Sequence, residues 1–184
     1  MGNLHKGHIE LIKKTKLSKK NLTLLSVFIN PLQFDNKDDL KNYPKTIDKD
    51  ISLSFSAGAD AIFIPDRSEI FPSLEDNISF QKASEDLSNT LCGLHRKGHF
   101  DGVCTVIYRL LKLIEPETMF LGEKDWQQLL ILKKMIADKD IKVIIKSIAT
   151  QRDIDNVPFS SRNKLLVKSE RQKLQLFSQE LFNA

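Results

Sequence analysis

Apolar and polar positions follow one another along this chain in blocks that predict helices and strands. Near the start, Ile9, Ile12 and Leu17 lie among lysines and a glutamate at the spacing of an amphipathic helix, which we predict over 8–17, beginning at a glycine-histidine pair. A continuous apolar run from Leu22 to Ile29 follows and ends at Asn-Pro. Such a run is typical of a strand buried on both faces of a parallel sheet.

The same alternation continues to the end of the chain. A helix that begins at Thr46 and is closed by Gly58 precedes a short buried strand over 59–65. Later blocks predict a buried helix over 103–114, a strand over 118–121, a helix over 125–137, a strand over 141–148 and a last helix over 169–182. Strands that alternate with helices at this spacing predict an α/β fold with a doubly wound parallel sheet.

Composition narrows the class of protein. The 184 residues, 41% of them hydrophobic, suffice for one packed domain, or for a large domain with a fragment of a second. No apolar run reaches the ~18 residues of a membrane span, and the start lacks the order of a signal peptide, so we expect a cytoplasmic protein without membrane contact. The two cysteines, Cys92 and Cys104, lack a metal-ligand spacing and are expected to be buried or half-buried thiols. The net charge of +4 permits contact with anions, but the basic residues are scattered among 24 acidic ones, and no nucleic-acid partner is predicted.

Three short segments carry residue types suited to phosphate chemistry. The first is His5-Lys-Gly-His8, at a loop-to-helix junction. A helix N-terminus attracts phosphate oxygens, two imidazoles there can donate hydrogen bonds to developing charge, and Gly7 permits a close approach. Two histidines near a chain start are otherwise ordinary surface residues.

The second segment is Gly122-Glu-Lys-Asp125, where a predicted strand ends and a helix begins. Ligands of open α/β sheets gather at the carboxyl ends of strands, where Lys124 can meet a phosphate and a carboxylate can accept from ribose hydroxyls. The alternative is a capped helix start.

The third segment is Ser160-Ser-Arg162-Asn, which follows a polar loop over 151–156. Two hydroxyls and a guanidinium in succession suit a polyphosphate. A polar loop before a helix is the alternative for this segment alone.

Six segments in order extend this interpretation to nearly the whole chain. They are MGNLHKGH, FINPLQF, YPKT, LCGLHRKGHFDGV, GEKDWQQL and SSRN. Their order and spacing closely resemble the pantothenate synthetase family. More distantly, the first and last resemble the signature sequences of nucleotidyltransferases and class I aminoacyl-tRNA synthetases.

The resemblance implies a Rossmann-like domain that ligates pantoate to β-alanine through a pantoyl adenylate, with release of pyrophosphate and AMP. ATP would bring Mg²⁺ on its phosphates, so no metal ligand of the protein is expected. A homodimer is expected from the family.

The resemblance also implies roles for individual residues. His8 would be the proton donor, with His5 beside it, and Lys124 and Arg162 would stabilise charge on the phosphates. Gln33 and Gln128 would hold pantoate, with Gln33 near β-alanine, while Asn30, Tyr43 and Arg96 would shape the pocket or a subunit contact. The implied ATP site comprises Met1, Gly2, Asn3, Leu4, His5, Lys6, Gly7, His8, Gly122, Glu123, Lys124, Asp125, Gln151, Phe159, Ser160, Ser161 and Arg162.

The sequence departs from the family pattern at both ends. In the family, a buried strand precedes the nucleotide loop and a smaller C-terminal domain follows SSRN. Here the sequence starts at the nucleotide loop and includes about one helix of that domain. We therefore expect a nucleotide-binding domain over 1–158 that lacks its first strand, followed by the start of the small domain over 159–184. Either the true start of the protein lies upstream or the chain is a fragment. Lys97, Gln151 and Asn156 also depart from the family. The alternatives are another adenylate-forming enzyme of the superfamily and an inactive remnant.

Overall fold

A computed structural model of the chain describes residues 2–16, 21–33, 41, 46–72 and 81–183. Helices and short parallel strands alternate through these ranges, as the hydrophobic pattern predicts. In chain order the elements are α1 (Lys6–Thr15), β1 (Leu24–Ser26), a 3-10 turn (Pro31–Gln33), α2 (Ile47–Ala57), β2 (Ala61–Phe63), α3 (Arg67–Ile70), α4 (Glu85–Ser88), a 3-10 turn (Leu91–His95), α5 (His99–Ile114), β3 (Thr118–Gly122), a 3-10 turn (Glu123–Asp125), α6 (Trp126–Asp138), β4 (Ile144–Ile148), a 3-10 turn (Ser161–Leu165) and α7 (Lys168–Asn183).

The first half contains a β-α-β unit made of β1, α2 and β2. Gly58 ends α2 with a φ of 106°, a left-handed conformation that glycine adopts without strain, so the predicted helix end is confirmed. The strands pair in parallel with Leu25 opposite Ile62. The carboxyl ends of both strands therefore point the same way.

The second half repeats the arrangement with β3, α6 and β4. These strands are also parallel, and Thr118 lies opposite Ile144 while Gly122 lies opposite Ile148. The main hydrophobic core joins this unit to α5. Its buried residues are Ala83, Phe100, Val103, Cys104, Leu111, Ile131, Leu132, Met135 and Ile136.

Within the described ranges the strands form two separate parallel pairs, β1-β2 and β3-β4. A cavity of about 510 Å³ lies between them, lined by Leu24 of β1, Met119 of β3, Ile12 of α1 and Leu111 of α5. The architecture is α/β with parallel strands, as predicted. The prediction that a further strand belongs beside the nucleotide loop stays a prediction.

The first two strands are shorter and more exposed than the pattern predicts. The strand expected over 22–29 is limited to Leu24–Ser26, and Leu22 and Leu24 are 89% and 45% exposed rather than buried. Ile64, in the second predicted strand, is 42% exposed. Leu22 and Leu24 both line the neighbouring cavity, so their side chains face open space rather than packed neighbours among the described residues.

The helix predicted from Val103 begins four residues earlier, at His99, directly after Gly98 in a left-handed conformation. Cys104 in this helix is completely buried, and burial raises the pKa of its thiol to about 12. Cys92 is exposed, contrary to expectation, because it lies in the Leu91–His95 turn at the surface. No helix in the described ranges is long and apolar enough to cross a membrane.

A core truncation tests this packing. Leu132 has no exposed surface, so Leu132→Ala should lower the free energy of unfolding by about 2–5 kcal/mol through lost burial and a cavity. The neighbouring Lys133→Ala, at an exposed position, serves as the control in urea unfolding. Equal midpoints for the two variants would contradict the proposed core.

Candidate functional site

A buried carboxylate holds the loop that precedes α1. Asp50 of α2 is 2% exposed and accepts hydrogen bonds from the backbone N–H groups of Asn3 and Leu4, at 2.8 and 2.7 Å. The hydroxyl of Thr46 donates to the same carboxylate at 3.1 Å. Asn3 has a φ of 49°, a conformation that costs an ordinary side chain energy and that these bonds help to maintain.

Sequence reasoning missed Asp50. It stands between Lys49 and Ile51 in a helix and therefore resembles one charge of a solvated face. A signal was nevertheless present, because Asp50 and Ser54 share the buried stripe of α2 with Leu53 and Ala57. A charge in a buried stripe needs partners, and here they are backbone N–H groups 46 and 47 residues away.

The loop leads into α1 and brings two imidazoles face to face. The ring centroids of His5 and His8 are 3.9 Å apart with 26° between the planes, and the backbone N–H of His5 donates to Nδ1 of His8 at 3.3 Å. Gly7 makes room for this stack, since a Cβ there would lie 3.1 Å from ring atoms of His5. The predicted histidine pair is thus a single packed unit.

Both imidazoles have lowered pKa values. Burial lowers the pKa of His8 to about 3, with a further contribution from His5. Burial also lowers the pKa of His5, and the positive charge of Lys124 contributes. Both rings are therefore neutral at pH 7, and because Nδ1 of His8 accepts a hydrogen bond, its ring proton is assigned to Nε2. In this state His8 offers a hydrogen bond rather than an acidic proton.

The carboxyl end of β3 lies near this pair. Gly122 ends the strand, and a Cβ at this glycine would meet no other atom within 4 Å. Lys124 and Asp125 form a contact of 3.0 Å with each other, and the charges of both act on His5. Glu123 points elsewhere and accepts a hydrogen bond from the Ser147 hydroxyl at 2.7 Å.

The third predicted segment is attached to the same loop at two points. The Phe159 ring stacks on the His5 ring with centroids 6.5 Å apart, and the Lys6 ammonium lies 5.7 Å from the Phe159 ring centre. Five residues further on, Lys164 donates to the side-chain oxygen of Asn3 at 3.2 Å. The residues between these contacts, Ser160 to Asn163, therefore border the histidine pair.

Within the part of the chain that the structure describes, two buried side-chain nitrogen atoms of this region have no hydrogen-bond partner. They are Nδ2 of Asn3 and Nδ1 of His5. Buried polar atoms are normally satisfied, so an unpaired set beside a helix N-terminus indicates that a polar ligand belongs there. An anion is the ligand that this set of donors and nearby lysines favours.

A sequence model of pantoate-beta-alanine ligases matches residues 1–184, the whole chain. The chain belongs to the pantoate-beta-alanine ligase family.

Curated relatives in this ligase family come from Prochlorococcus marinus. The bifunctional pantoate ligase/cytidylate kinases of strains MED4 and AS9601 are 63% and 62% identical to the chain over 184 residues. The match covers all of this chain and 36% of each relative, so the chain spans about a third of their length.

Solved structures of pantothenate synthetases share the fold. That of Thermus thermophilus superposes with a TM-score of 0.91 at 36% identity, over 99% of this chain and 65% of the other. The pantoate-beta-alanine ligase of Francisella tularensis, complexed with beta-gamma ATP and beta-alanine, gives 0.90 at 37% identity, over 97% and 67%. The predicted family and its Rossmann-like fold are thereby confirmed.

Other residues that the resemblance to the ligase family suggested differ in burial and contacts. Gln128 is half-buried in the first turn of α6, and Gln151 is half-buried with its side chain donating to the Ala149 carbonyl at 3.1 Å. Gly2 and Leu4 are buried in the loop. Met1 and Tyr43 lie outside the described residues, as does the side chain of Gln33.

Asn30 and Arg96 support the backbone around the 3-10 turns. Asn30 is 4% exposed, donates to the Gly102 carbonyl at 3.1 Å and accepts from the Leu32 N–H at 3.0 Å. Arg96 contacts Nε2 of His99 at 3.0 Å. The Asn30 contacts fix the turn after β1, and the Arg96 contact lies at the start of α5. That these residues shape the pocket or a subunit contact stays a prediction.

The neighbour of Gln128 has a structural role that the sequence did not reveal. Gln127 donates to the carbonyls of Leu87 and Thr90, at 2.8 Å each, and accepts from the Cys92 thiol at 2.7 Å. It therefore fastens α6 to the end of α4 and to the segment that follows it. Of the two adjacent glutamines, Gln127 is thus the one whose side chain is hydrogen-bonded to backbone carbonyls.

The Asp50 tether can be tested by truncation. Asp50→Ala should lower the free energy of unfolding by about 1.5–3 kcal/mol, the range for hydrogen bonds to a charged group. Asp48→Ala, at an exposed position of the same helix, is the matched control. Identical urea midpoints for the two variants would show that Asp50 does not hold the loop.

The lowered pKa of His8 predicts a pH dependence of stability. Below pH 6.5 the unfolded chain takes up a proton at His8 that the folded chain resists until about pH 3. The unfolded state then binds more protons, so stability should decrease as the pH falls through this window. His8→Asn should flatten the decrease in chemical unfolding at pH 7 and pH 5, while His95→Asn, at an exposed position, should not. Parallel curves for both variants would contradict a buried neutral His8.

Proposed function

We propose that this chain catalyses the ATP-dependent joining of pantoate and β-alanine. A carboxylate oxygen of pantoate attacks the α-phosphorus of ATP, the bond to the β-phosphate breaks, and pyrophosphate leaves. The β-alanine amine then attacks the acyl carbon of pantoyl adenylate, the bond to AMP breaks, and the amine loses a proton. Neither step needs a nucleophile from the protein.

One observation carries this proposal: three segments distant in sequence border one histidine pair in a member of this ligase family. Phe159 contacts His5, Lys164 contacts Asn3, and the charge of Lys124 acts on both histidines. Lys124 and Lys164 thus place two cations near a helix N-terminus. Such an arrangement is complementary to a triphosphate.

The proposed catalytic groups stabilise charge. His8 and His5 donate hydrogen bonds to phosphate oxygens, and Lys124 neutralises charge that builds on the pentacoordinate phosphorus. Ser160, Ser161 and Arg162 hold the outer phosphates, since the guanidinium fork matches phosphate geometry. Asp125 holds the ribose, and Gly122 lies against the nucleotide.

The acid and the amine are proposed to bind through amides. Gln128, half-buried one turn after Lys124, and Gln33 bind pantoate, and Gln33 also lies near β-alanine. The related Francisella tularensis enzyme was solved with beta-alanine, which supports this choice of amine.

Mg²⁺ is proposed to arrive on the ATP phosphates. Mg²⁺ keeps several waters and binds readily through substrate phosphates, so few protein ligands are needed. The described residues contain no group of three or more histidine, cysteine or acidic side chains placed to hold a metal ion. Mg²⁺ neutralises phosphate charge when bound. The homodimer, the cytoplasmic location and the division into domains at 158/159 are part of the same proposal.

Pyrophosphate release tests the function. The chain should release pyrophosphate with ATP, Mg²⁺ and pantoate together, and His8→Ala should lower kcat roughly 10²–10³-fold, the cost of losing a transition-state donor, while the KM for pantoate changes far less. His95→Ala is the control, since His95 is exposed in another turn.

The substrate series separates the alternatives. Release that requires pantoate supports the ligase, and release with a different acid indicates another adenylate-forming enzyme. No release with any acid indicates an inactive chain. A His8→Ala variant as fast as its parent would remove His8 from the mechanism.

A further inference from the structure

The loop between β4 and the serine-arginine segment folds as a tight hairpin, which we define as residues 151–159. The Phe159 N–H donates to the Gln151 carbonyl at 3.0 Å, and the Asp153 N–H donates to the Val157 carbonyl at 2.9 Å. Inside the turn, one oxygen of Asp153 accepts from the N–H groups of Asp155 and Val157, at 2.9 and 3.0 Å. The hairpin thus has a defined shape, with Val157 fully buried.

One cation from α7 joins the two carboxylates of this hairpin. Nη2 of Arg171 donates to Oδ2 of Asp153 and, at 3.1 Å, to Oδ2 of Asp155. One turn further along α7, Gln175 donates to the other oxygen of Asp155 at 3.1 Å. The Arg171 and Asp153 side chains are only 27% and 21% exposed, so solvent screens this contact less than it screens a surface ion pair.

Polar contacts dominate the attachment of α7. Besides Arg171 and Gln175, the guanidinium of Arg152 lies 4.8 Å from the Phe182 ring centre. Large apolar side chains of the helix remain between 57% and 64% exposed: Leu176, Phe177, Leu181 and Phe182. Because apolar burial is small, the ion pairs fix where the hairpin and α7 meet.

The far end of the hairpin borders the histidine pair. Phe159 ends the hairpin and stacks on His5, and the Asn163 side chain donates to the Pro158 carbonyl at 2.9 Å. A tilt of the hairpin would therefore move Phe159 and Ser160 relative to His5. Errors of about 1 Å in such a position can cost as much as a hundredfold in rate.

We propose that Arg171 is a positioning residue for the nucleotide site, because its guanidinium joins Asp153 and Asp155 and so fixes the hairpin that carries Phe159 to His5. This inference rests on the proposed function for its substrate, ATP. Arg171 acts through the hairpin and does not contact the nucleotide. Without the cation, two carboxylates held close together repel each other and open the turn.

The test compares Arg171→Met with Lys173→Met, an exposed position of the same helix. Arg171→Met keeps the apolar stem and removes the charge. We expect the Kd of a nonhydrolysable β,γ-imido analogue of ATP, and the KM for ATP, to rise roughly tenfold, which is about 1.4 kcal/mol. The KM for pantoate and the urea midpoint should stay near those of the Lys173→Met control.

Two further measurements separate positioning from general stability. Hydrogen exchange of the Asp155, Val157 and Phe159 amides should accelerate in Arg171→Met, because the bonds of the turn loosen. Arg171→Lys should recover part of the nucleotide affinity, since an ammonium restores the charge without the planar fork. An unchanged Kd for the ATP analogue would overturn the proposal. A rise in this Kd that is fully explained by a lower urea midpoint would also overturn it.

Failure of the proposed function would look different. A parent chain that releases no pyrophosphate with pantoate, but whose analogue affinity still falls tenfold in Arg171→Met, would refute the ligase and support the role of Arg171. If the parent chain is active with pantoate but its KM for ATP does not change in Arg171→Met, only this inference is refuted.

Discussion

The hydrogen bonds from Asn3 and Leu4 to Asp50 are the constraint on which the site depends. They join the loop before α1 to a helix 46 and 47 residues away, and they keep Asn3 in a left-handed conformation. A buried carboxylate is costly unless donors surround it, so the loop and α2 stabilise each other. The histidine stack at the start of α1 follows this loop directly, so its position depends on the loop.

The sequence predicted the convergence of the site for a physical reason. Lys124 follows a parallel strand directly, and ligands of open α/β folds gather where parallel strands end, so this residue and the helix start at His5 could be placed at one edge. The stack of His5 on Phe159 could not be predicted, because it depends on the path of a hairpin. Long-range contacts of single side chains leave little trace in local patterns.

Burial of the strands is likewise difficult to predict from local sequence patterns. An apolar run such as Leu22 to Ile29 indicates a strand, but whether each face is covered depends on neighbours elsewhere in the chain. Leu24 lines a cavity and is 45% exposed, although the pattern favours full burial. The start of α5 was missed for a local reason, since a histidine and two glycines interrupt the apolar pattern at Gly98, His99 and Gly102.

The neutral state of the histidine stack links nucleotide binding to protons. His5 and His8 carry no charge in the free site because burial and nearby lysines disfavour the imidazolium form. Negative charge placed beside them would oppose these effects and shift both pKa values upward. Any proton that the pair takes up together with an anion would come from the buffer, and the binding enthalpy would then depend on the ionisation enthalpy of that buffer.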